Sequence, residues 1–300
     1  MIQMMKGNER LTYSMEQVYE YLGTTRQGVA QAGKRMTKQG QTESQIVSMV
    51  KDWRRYHPKM GSRPMYHSLL HQGKDLQIGI NKFEQLVSKH RLGAGDVRSF
   101  KPLTSDGKGK ESYPNLTNGL IINNINQLIV GDITYFDILG EWHYICTLKD
   151  VYSQRLLSLV ANNNMKHSNL LQTITECEQQ RSARALKNCI HHSDNGSQYN
   201  AKEYKAALTR LRIRISRADS CQQNGSAEQL NHIIKNMYLN HWSITSLKEL
   251  QQACKELKYL NNYQRTIKQL GNKTPDDFEQ FIQSIPEKQR LKKKMYDFTK

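Results

Sequence analysis

The stretch that decides the fold begins at residue 128 and reads LIVGDITYF. Its run of apolar, β-branched and aromatic residues predicts a strand over residues 128–136. An acidic residue, Asp132, lies in the middle of that strand. A carboxylate is costly in an apolar strand unless it is paired or binds a metal, so Asp132 is a candidate functional residue. An aspartate that faces water from an edge strand is the alternative.

The sequence after this strand predicts a mixed sheet. Two more strands follow it, and helices and strands then alternate up to a long helix at residues 224–240. The other predicted strands span residues 142–148, 155–160, 189–192 and 212–216, and the other predicted helices span residues 169–180 and 202–210. An antiparallel meander followed by alternating helices and strands implies an α/β fold with helices on the faces of a mixed sheet.

Two further acidic residues lie where such folds place functional groups. Asp194 follows the short strand at residues 189–192 and precedes a glycine-containing turn, a common position for active-site groups in α/β sheets. Glu228 lies on the predicted long helix, where the spacing of Asn224, Glu228, Asn231 and Lys235 puts all four on one face. A turn-capping aspartate and a solvated helix face are the alternatives.

The three acids have one common use. Carboxylates from a strand, a loop and a helix would repel one another unless a cation neutralised them. Two Mg²⁺ ions, or Mn²⁺ in their place, would relieve that repulsion and bind the attacking and leaving oxygens of a phosphodiester displacement. We therefore predict that Asp132, Asp194 and Glu228 are catalytic and metal-binding, and that Lys235 contacts a nearby phosphate.

The composition favours a nucleic-acid partner in a reducing compartment. The 300 residues carry a net charge of +17, and a basic excess of this kind favours a polyanion such as a nucleic-acid backbone. The five cysteines include no C-x-x-C pair, which suggests free thiols. No apolar run is long enough to span a bilayer and no secretory signal is evident. We therefore expect a cytoplasmic protein that does not bind a membrane. Zinc and ATP sites are not indicated, because neither paired zinc ligands nor a Walker-type loop occurs.

The N-terminal third predicts a small helical region. Its candidate helices are joined by turns and fit helix–turn–helix spacing around residues 23–25, and a packing module without a ligand is the alternative. The candidate helices span residues 15–22, 24–36, 45–56, 65–71 and 80–90. Gly and Pro residues without an apolar period predict a linker after them. We divide the chain into a helical DNA-binding-like region (1–92), a linker (93–119), a catalytic core (120–285) and a basic, solvated tail (286–300).

Several stretches resemble the OrfB-type transposases of the IS-three insertion-sequence family, which share the retroviral-integrase core. They are VGDITY (130–135), KDVYS (149–153), HHSDNGSQY (191–199), NGSAEQLNHIIK (224–235), NYQR (262–265) and the basic turn HPKMGSRPMY (57–66). The resemblance runs from about residue 15 to about residue 280.

This resemblance implies a ribonuclease-H-like fold with a five-stranded mixed sheet and a DDE triad of Asp132, Asp194 and Glu228. It implies a polynucleotidyl transferase that cleaves double-stranded DNA at inverted-repeat ends and joins it to a target. A homo-oligomer on DNA and a partner protein or fusion from an upstream reading frame are also expected. We predict DNA contacts at Lys235, Asn231, Asn224, Arg63 and Lys59. A nuclease without strand transfer and an inactive DNA-binding remnant remain open as alternatives.

Overall fold

A mixed five-stranded sheet lies at the centre of the chain. The computed structural model describes residues 14–95, 113–194, 196–218 and 221–297. The strands of this sheet are β2 (Leu128–Ile138), β3 (Glu141–Asp150), β4 (Leu156–Asn162), β5 (Ile190–Ser193) and β6 (Arg214–Arg217). A short strand β1 (Ile121–Ile122) precedes them and pairs with β7 (Lys293–Lys294) in a separate two-stranded ladder.

The strand order is β4-β3-β2-β5-β6. The meander β2–β3–β4 is antiparallel, whereas β5 pairs in parallel with both β2 and β6. A mixed α/β fold with a five-stranded, ribonuclease-H-like sheet is therefore confirmed. The long strand β2 lies in the middle, and its first residues have paired strands on both sides.

Helices cover both faces of the sheet because successive strand residues point to opposite sides. Cys146 and Leu148 face helices α5 (His167–Arg181) and α7 (Lys202–Arg210). Ile145, which precedes Cys146 on the same strand, faces helices α8 (Gly225–His232) and α9 (Leu247–Tyr259) on the other side. The remaining helices of this part are α6 (Ala183–Leu186) and α10 (Pro275–Ser284), and short 3₁₀ or π turns span Ser197–Asn200, Cys221–Asn224, Ile233–Tyr238, Leu239–His241, Leu260–Gln264, Lys268–Leu270 and Glu287–Gln289.

A helical module precedes the sheet. Its helices are α1 (Met15–Tyr21), α2 (Arg26–Tyr56), α3 (Ser62–His71) and α4 (Ile80–Lys89). A capping box between Ser14 and Gln17 starts α1, Gly23 in the left-handed region ends it, and Thr25 caps the start of α2. The helix–turn–helix spacing around residue 23 is present. The predicted break between residues 36 and 45 is wrong, because α2 continues through it as one helix of 31 residues.

Buried polar contacts join the module to the sheet domain, and we call this contact the joint. His57 is wholly buried, with Nδ1 2.9 Å from the Tyr238 hydroxyl and Nε2 3.2 Å from Gln264 Oε1. The buried Ser68 hydroxyl lies 3.1 Å from that of Thr266 and accepts a hydrogen bond from its backbone N–H. Unpaired buried polar groups are costly, so these matched pairs fix how the module sits on the core.

The predicted linker and tail behave differently. Most of the predicted linker, from residue 96 to residue 112, lies outside the described residues. The C-terminal tail is solvated as expected, since none of residues 286–297 is buried, but it is also attached to the sheet domain: β7 pairs with β1, and the Met295 N–H donates to the Leu120 carbonyl. The Tyr152 hydroxyl also donates to the Leu291 carbonyl. Among the described residues, no helix combines the length and apolarity needed to cross a bilayer.

Candidate active site

The parallel pairing of β2 with β5 brings Asp132 level with Asp194. Val130 pairs with His192, and each acid lies two residues further along from its member of that pair. Residues two apart point to the same face, and neighbouring strands lie about 4.8 Å apart. Continuing this register therefore puts both carboxylates on the same side of the sheet at the same level.

Helix α8 brings Glu228 to the same side of the sheet. The helix packs against β2 through its buried residues Ala227 and Leu230, which leaves Glu228 exposed. Asn231 lies one turn after Glu228, and its Nδ2 donates a hydrogen bond of 2.6 Å to Asp132 Oδ2. This hydrogen bond connects the acid-bearing face of the helix directly to the acid of the central strand.

The three acids act on one another electrostatically. Burial raises the pKa of Asp132 to about 7, and the negative charges of Asp194 and Glu228 push it in the same direction. The hydrogen bond from Asn231 and one from the Ile133 backbone oppose this rise without cancelling it. The surroundings therefore disfavour the ionised form of Asp132, and a bound cation would relieve this.

The loop of Asp194 is supported from β6. Burial raises the pKa of Asp194, whereas a hydrogen bond from the Gly196 N–H (3.1 Å) and the charge of Arg217 oppose this rise. The Arg217 guanidinium is itself buried, and it donates to the Ser193 hydroxyl and to the Tyr199 carbonyl. This arginine ties both ends of the Asp194 turn to the sheet.

The site carries oxygen atoms without partners. Asn224 Oδ1 and Asn231 Oδ1 are buried and accept no hydrogen bond. Across the described residues, no group of three His, Cys, Asp or Glu side chains is arranged so that it could hold a metal ion. The expected meeting of the triad is thus seen as a shared electrostatic environment and a common sheet level, and not as a preformed cluster of three ligands.

The helix that carries Glu228 changes form along its length. The predicted long helix over residues 224–240 is present, but its form varies: it is α-helical over α8, widens to a π-helix over Ile233–Tyr238 and ends in a 3₁₀ turn. The wider turns shift Lys235 from the regular phase that the sequence suggested. Lys235 is half-buried, and burial lowers its pKa.

Two residues outside the predicted triad and DNA contacts hold the start of α8 on the sheet. Lys149, at the end of β3, is 3% exposed and donates a hydrogen bond of 2.9 Å to the Ser226 carbonyl. His192 Nε2 lies 3.2 Å from the Gln223 carbonyl oxygen, and its Nδ1 lies 2.8 Å from the Ser216 hydroxyl. A lysine inside an apolar strand is a sequence signal of the same kind as Asp132.

The other predicted residues lie elsewhere. Arg63 pairs with Glu84 at 2.8 Å, and Lys59 donates to the Ala94 carbonyl at 2.7 Å, so both residues make contacts inside the helical module. His191 points into the core, where its Nε2 lies 2.9 Å from the Tyr204 hydroxyl.

Comparisons with known proteins agree with this geometry. A model of the integrase core domain matches residues 123–221. An uncharacterized 31 kDa protein of insertion element IS600 from Shigella sonnei is 28% identical over 224 residues, which cover 73% of this chain and 81% of the relative. Transposase InsF of insertion sequence IS3A from Escherichia coli K12 is 26% identical over 152 residues, which cover 50% of this chain and 52% of the relative.

The chain is thus similar to insertion-sequence transposases and carries a match to the integrase core domain. The resemblance predicted from the motifs is found in these comparisons, and the similarities support a DDE-type polynucleotidyl transferase with a function in DNA transposition. Among solved structures, the HTLV-2 integrase catalytic core domain in complex with magnesium matches this chain with a TM-score of 0.42 and 19% identity, over 52% of this chain and 97% of that chain.

Proposed function

We propose that Asp132, Asp194 and Glu228 together bind divalent metal ions, Mg²⁺ or Mn²⁺, and that the chain uses this site to cut DNA at insertion-sequence ends and join them to a target. The observation that carries this proposal is the placement of the acids: Asp132 and Asp194 lie at one level on one side of the sheet, and Asn231, one turn after Glu228, donates a hydrogen bond of 2.6 Å to Asp132. Burial and the negative charges of Asp194 and Glu228 also raise the pKa of Asp132. Acids that repel one another in a partly buried site are held ready for a cation.

The chemistry of the available donors fits such ions. Mg²⁺ and Mn²⁺ prefer oxygen ligands, and the site offers three carboxylates together with the unpartnered amide oxygens of Asn224 and Asn231. The HTLV-2 integrase core, whose fold is of this type, was solved with magnesium. When bound, two ions would polarise the attacking oxygen and stabilise the leaving 3′-oxygen of a phosphodiester.

The chain's own residues have distinct roles in this proposal. Asn231 holds one oxygen of Asp132 through its amide and so fixes the direction of the other oxygen. Lys149 and His192 hold the start of α8, which sets the distance of Glu228 from the two aspartates. Lys235, further along the same helix, is available for a phosphate beside the cut.

The substrate, the oligomeric state, the partner and the domain division are also proposals. We propose double-stranded DNA as substrate, a homo-oligomer as the active form, and a partner protein or fusion from an upstream frame. We also keep the division of the chain into a helical region, a linker and a catalytic core, with the joint as the contact between the first and the last.

The test is a cleavage and joining assay with DNA that carries the terminal repeats flanking the gene. We expect the full chain to cut and join this DNA with Mg²⁺, and Asp132→Asn, Asp194→Asn and Glu228→Gln each to reduce the rate at least ~1,000-fold while DNA binding persists. Asp137→Asn is a matched control, because Asp137 is an exposed aspartate on the same strand.

The outcomes separate the alternatives. Joining at the wild-type rate in any of the three acid variants would refute the proposed triad. Cleavage without joined product would leave a nuclease, and DNA binding without cleavage would leave an inactive remnant. Titration calorimetry with Mn²⁺ adds a measurement independent of activity, in which we expect the three variants to lose the binding that Asp137→Asn retains.

A further inference from the structure

The first part of α2 projects from the body of the protein. We call residues 26–45 of this helix the arm. The first buried residue of α2 is Ile46, so the arm contributes no buried side chain to the fold. Its middle, from Lys34 to Gln41, is exposed at eight consecutive positions, which is about two full turns with solvent on every side.

The exposed part of the arm is positively charged. Arg26, Lys34, Arg35 and Lys38 are its basic residues, and its first acidic residue is Glu43. Glu43 already binds Lys89 and His90, at 2.5 Å and 2.6 Å. Within the described part of the chain, none of the four basic residues of the arm forms an ion pair with an acid. Lys34 and Lys38 lie on one face, one turn apart, with Arg35 beside them.

A helix of this kind gains little from its own chain. Isolated helices are marginal in water, and most helical stability comes from packing an apolar face. The arm has two large apolar residues, Val29 and Met36, which are too few for a coiled-coil seam with a second copy. It also contains glycines, such as Gly40, that lower helix stability. Its charge is complementary to a polyanion.

We propose that the arm lies along a DNA backbone and that Lys34, Arg35 and Lys38 contact its phosphates. This inference rests on the proposed function for the choice of DNA as partner. It moves the N-terminal DNA contact away from the basic turn at residues 57–66, where Arg63 and Lys59 are engaged inside the module. The joint fixes the base of the arm, because α2 ends at Tyr56, next to the buried His57.

The first experiment measures the affinity of the full chain for duplex DNA without divalent cations, over a series of salt concentrations. We expect the triple variant Lys34→Gln, Arg35→Gln, Lys38→Gln to weaken binding at least about 30-fold at roughly 0.1 M salt and to reduce the slope of log K against log salt by about 2 to 3. The matched control replaces three exposed lysines of the core, Lys187→Gln, Lys248→Gln and Lys255→Gln, and removes the same charge. We expect the control to retain most of the affinity.

Hydrogen exchange provides a second measurement. We expect DNA to slow the exchange of amides in the arm of the wild-type chain and not of the triple variant. Equal affinities of the arm variant and the wild type would overturn the inference, as would equal losses in the arm variant and the control. A change of oligomeric state without a change in DNA affinity would instead assign the arm to self-association and would also overturn it.

The result also separates this inference from the proposed function. If the wild-type chain does not bind DNA, the proposed function fails. If it binds and the arm variant binds equally well, only the arm inference fails.

Discussion

The helix that carries Glu228 and the helix that carries the arm are held in opposite ways. The start of α8 is tied to the sheet through two backbone carbonyls, by Lys149 and His192, and its acid-bearing face is tied to Asp132 by Asn231. The arm has none of its side chains buried. Cleavage of a phosphodiester requires catalytic groups in fixed positions, whereas contact with a DNA backbone requires positive charge on an exposed, extended element. The difference predicts where substitutions will affect rate, stability or affinity.

Outside the three acids, the largest effect should come from removing a hydrogen bond that holds the start of α8. We expect Lys149→Met to slow cleavage about 100-fold, because the Ser226 carbonyl loses its hydrogen bond and Glu228 loses its fixed position. The thermal midpoint should stay the same or rise, since methionine spares the cost of burying an ammonium group. Both quantities are measured on the same preparation.

Lys293→Met is the control for this variant. Lys293 also donates to a backbone carbonyl, that of Val151, but it does not contact α8. A wild-type cleavage rate in Lys149→Met would break the comparison between the two helices. If the thermal midpoint and the cleavage rate of Lys149→Met both fell, Lys149 would support the fold in general and not the position of Glu228.

The next effect concerns stability without metal. Burial and the neighbouring acids raise the pKa of Asp132 from 3.8 to about 7, so between these values the folded chain keeps a proton that the unfolded chain releases. Stability from this group is therefore lost as the pH rises through that window. We expect Asp132→Asn to be more stable than wild type at about pH 8 by a few kcal/mol, and the difference to vanish near pH 4.

Urea denaturation in the presence of a chelator measures this difference, with Asp137→Asn as the control. If Asp132→Asn were less stable than wild type at about pH 8, the acid would be held by a cationic partner and not by other acids. That result would remove the electrostatic basis of the proposed metal site.

A smaller effect is expected at the joint, on which the position of the arm depends. His57→Phe keeps a ring against Trp53 but leaves the Tyr238 hydroxyl and Gln264 without their hydrogen-bond partner. This should lower the free energy of unfolding by about 2 kcal/mol. Burial lowers the pKa of His57 from 6.5 to about 4, so its contribution is lost as the pH falls between these values, where the unfolded chain binds the proton more tightly. The difference in the free energy of unfolding between wild type and variant should therefore decrease as the pH falls through that range.

Denaturation curves at several pH values check this expectation. A difference in the free energy of unfolding that stays constant between about pH 7 and pH 4 would mean that His57 is not buried in its neutral form. A variant as stable as wild type throughout would mean that the joint does not hold the module to the core.

The sequence predicted the sheet well because its strands have strong, simple patterns. The predicted strand at 128–136 corresponds to Leu128–Ile138, and the predicted helix at 202–210 matches Lys202–Arg210. The level alignment of Asp132 with Asp194 could not be predicted from local pattern, because it depends on the register between two strands that lie far apart in the chain. The resemblance to a family supplied the pairing of these acids instead.

The sequence failed where local signals were weak or were overlooked. The arm has no apolar period, so its sequence predicts two separate helices where α2 is continuous. Helices α9 and α10 were not assigned, although Ser246 and the Thr274–Pro275 pair are N-terminal signals. The docking of the tail through β7 depends on a partner strand in another part of the chain, which composition does not reveal.

The smallest expected effect tests whether the arm is energetically separate from the rest of the molecule. A Cβ at Gly40 would meet no atom within 4 Å, and Gly costs about 0.5–1 kcal/mol relative to Ala inside a helix. Gly40→Ala should therefore slow hydrogen exchange of the neighbouring amides up to about 5-fold, and it should leave the global thermal midpoint within about 1 °C, because the arm can open without unfolding the core. A midpoint that rises together with arm protection would show that the arm unfolds cooperatively with the sheet. The two helices would then differ in charge but not in how they are held, and the arm would have packing contacts beyond those seen here.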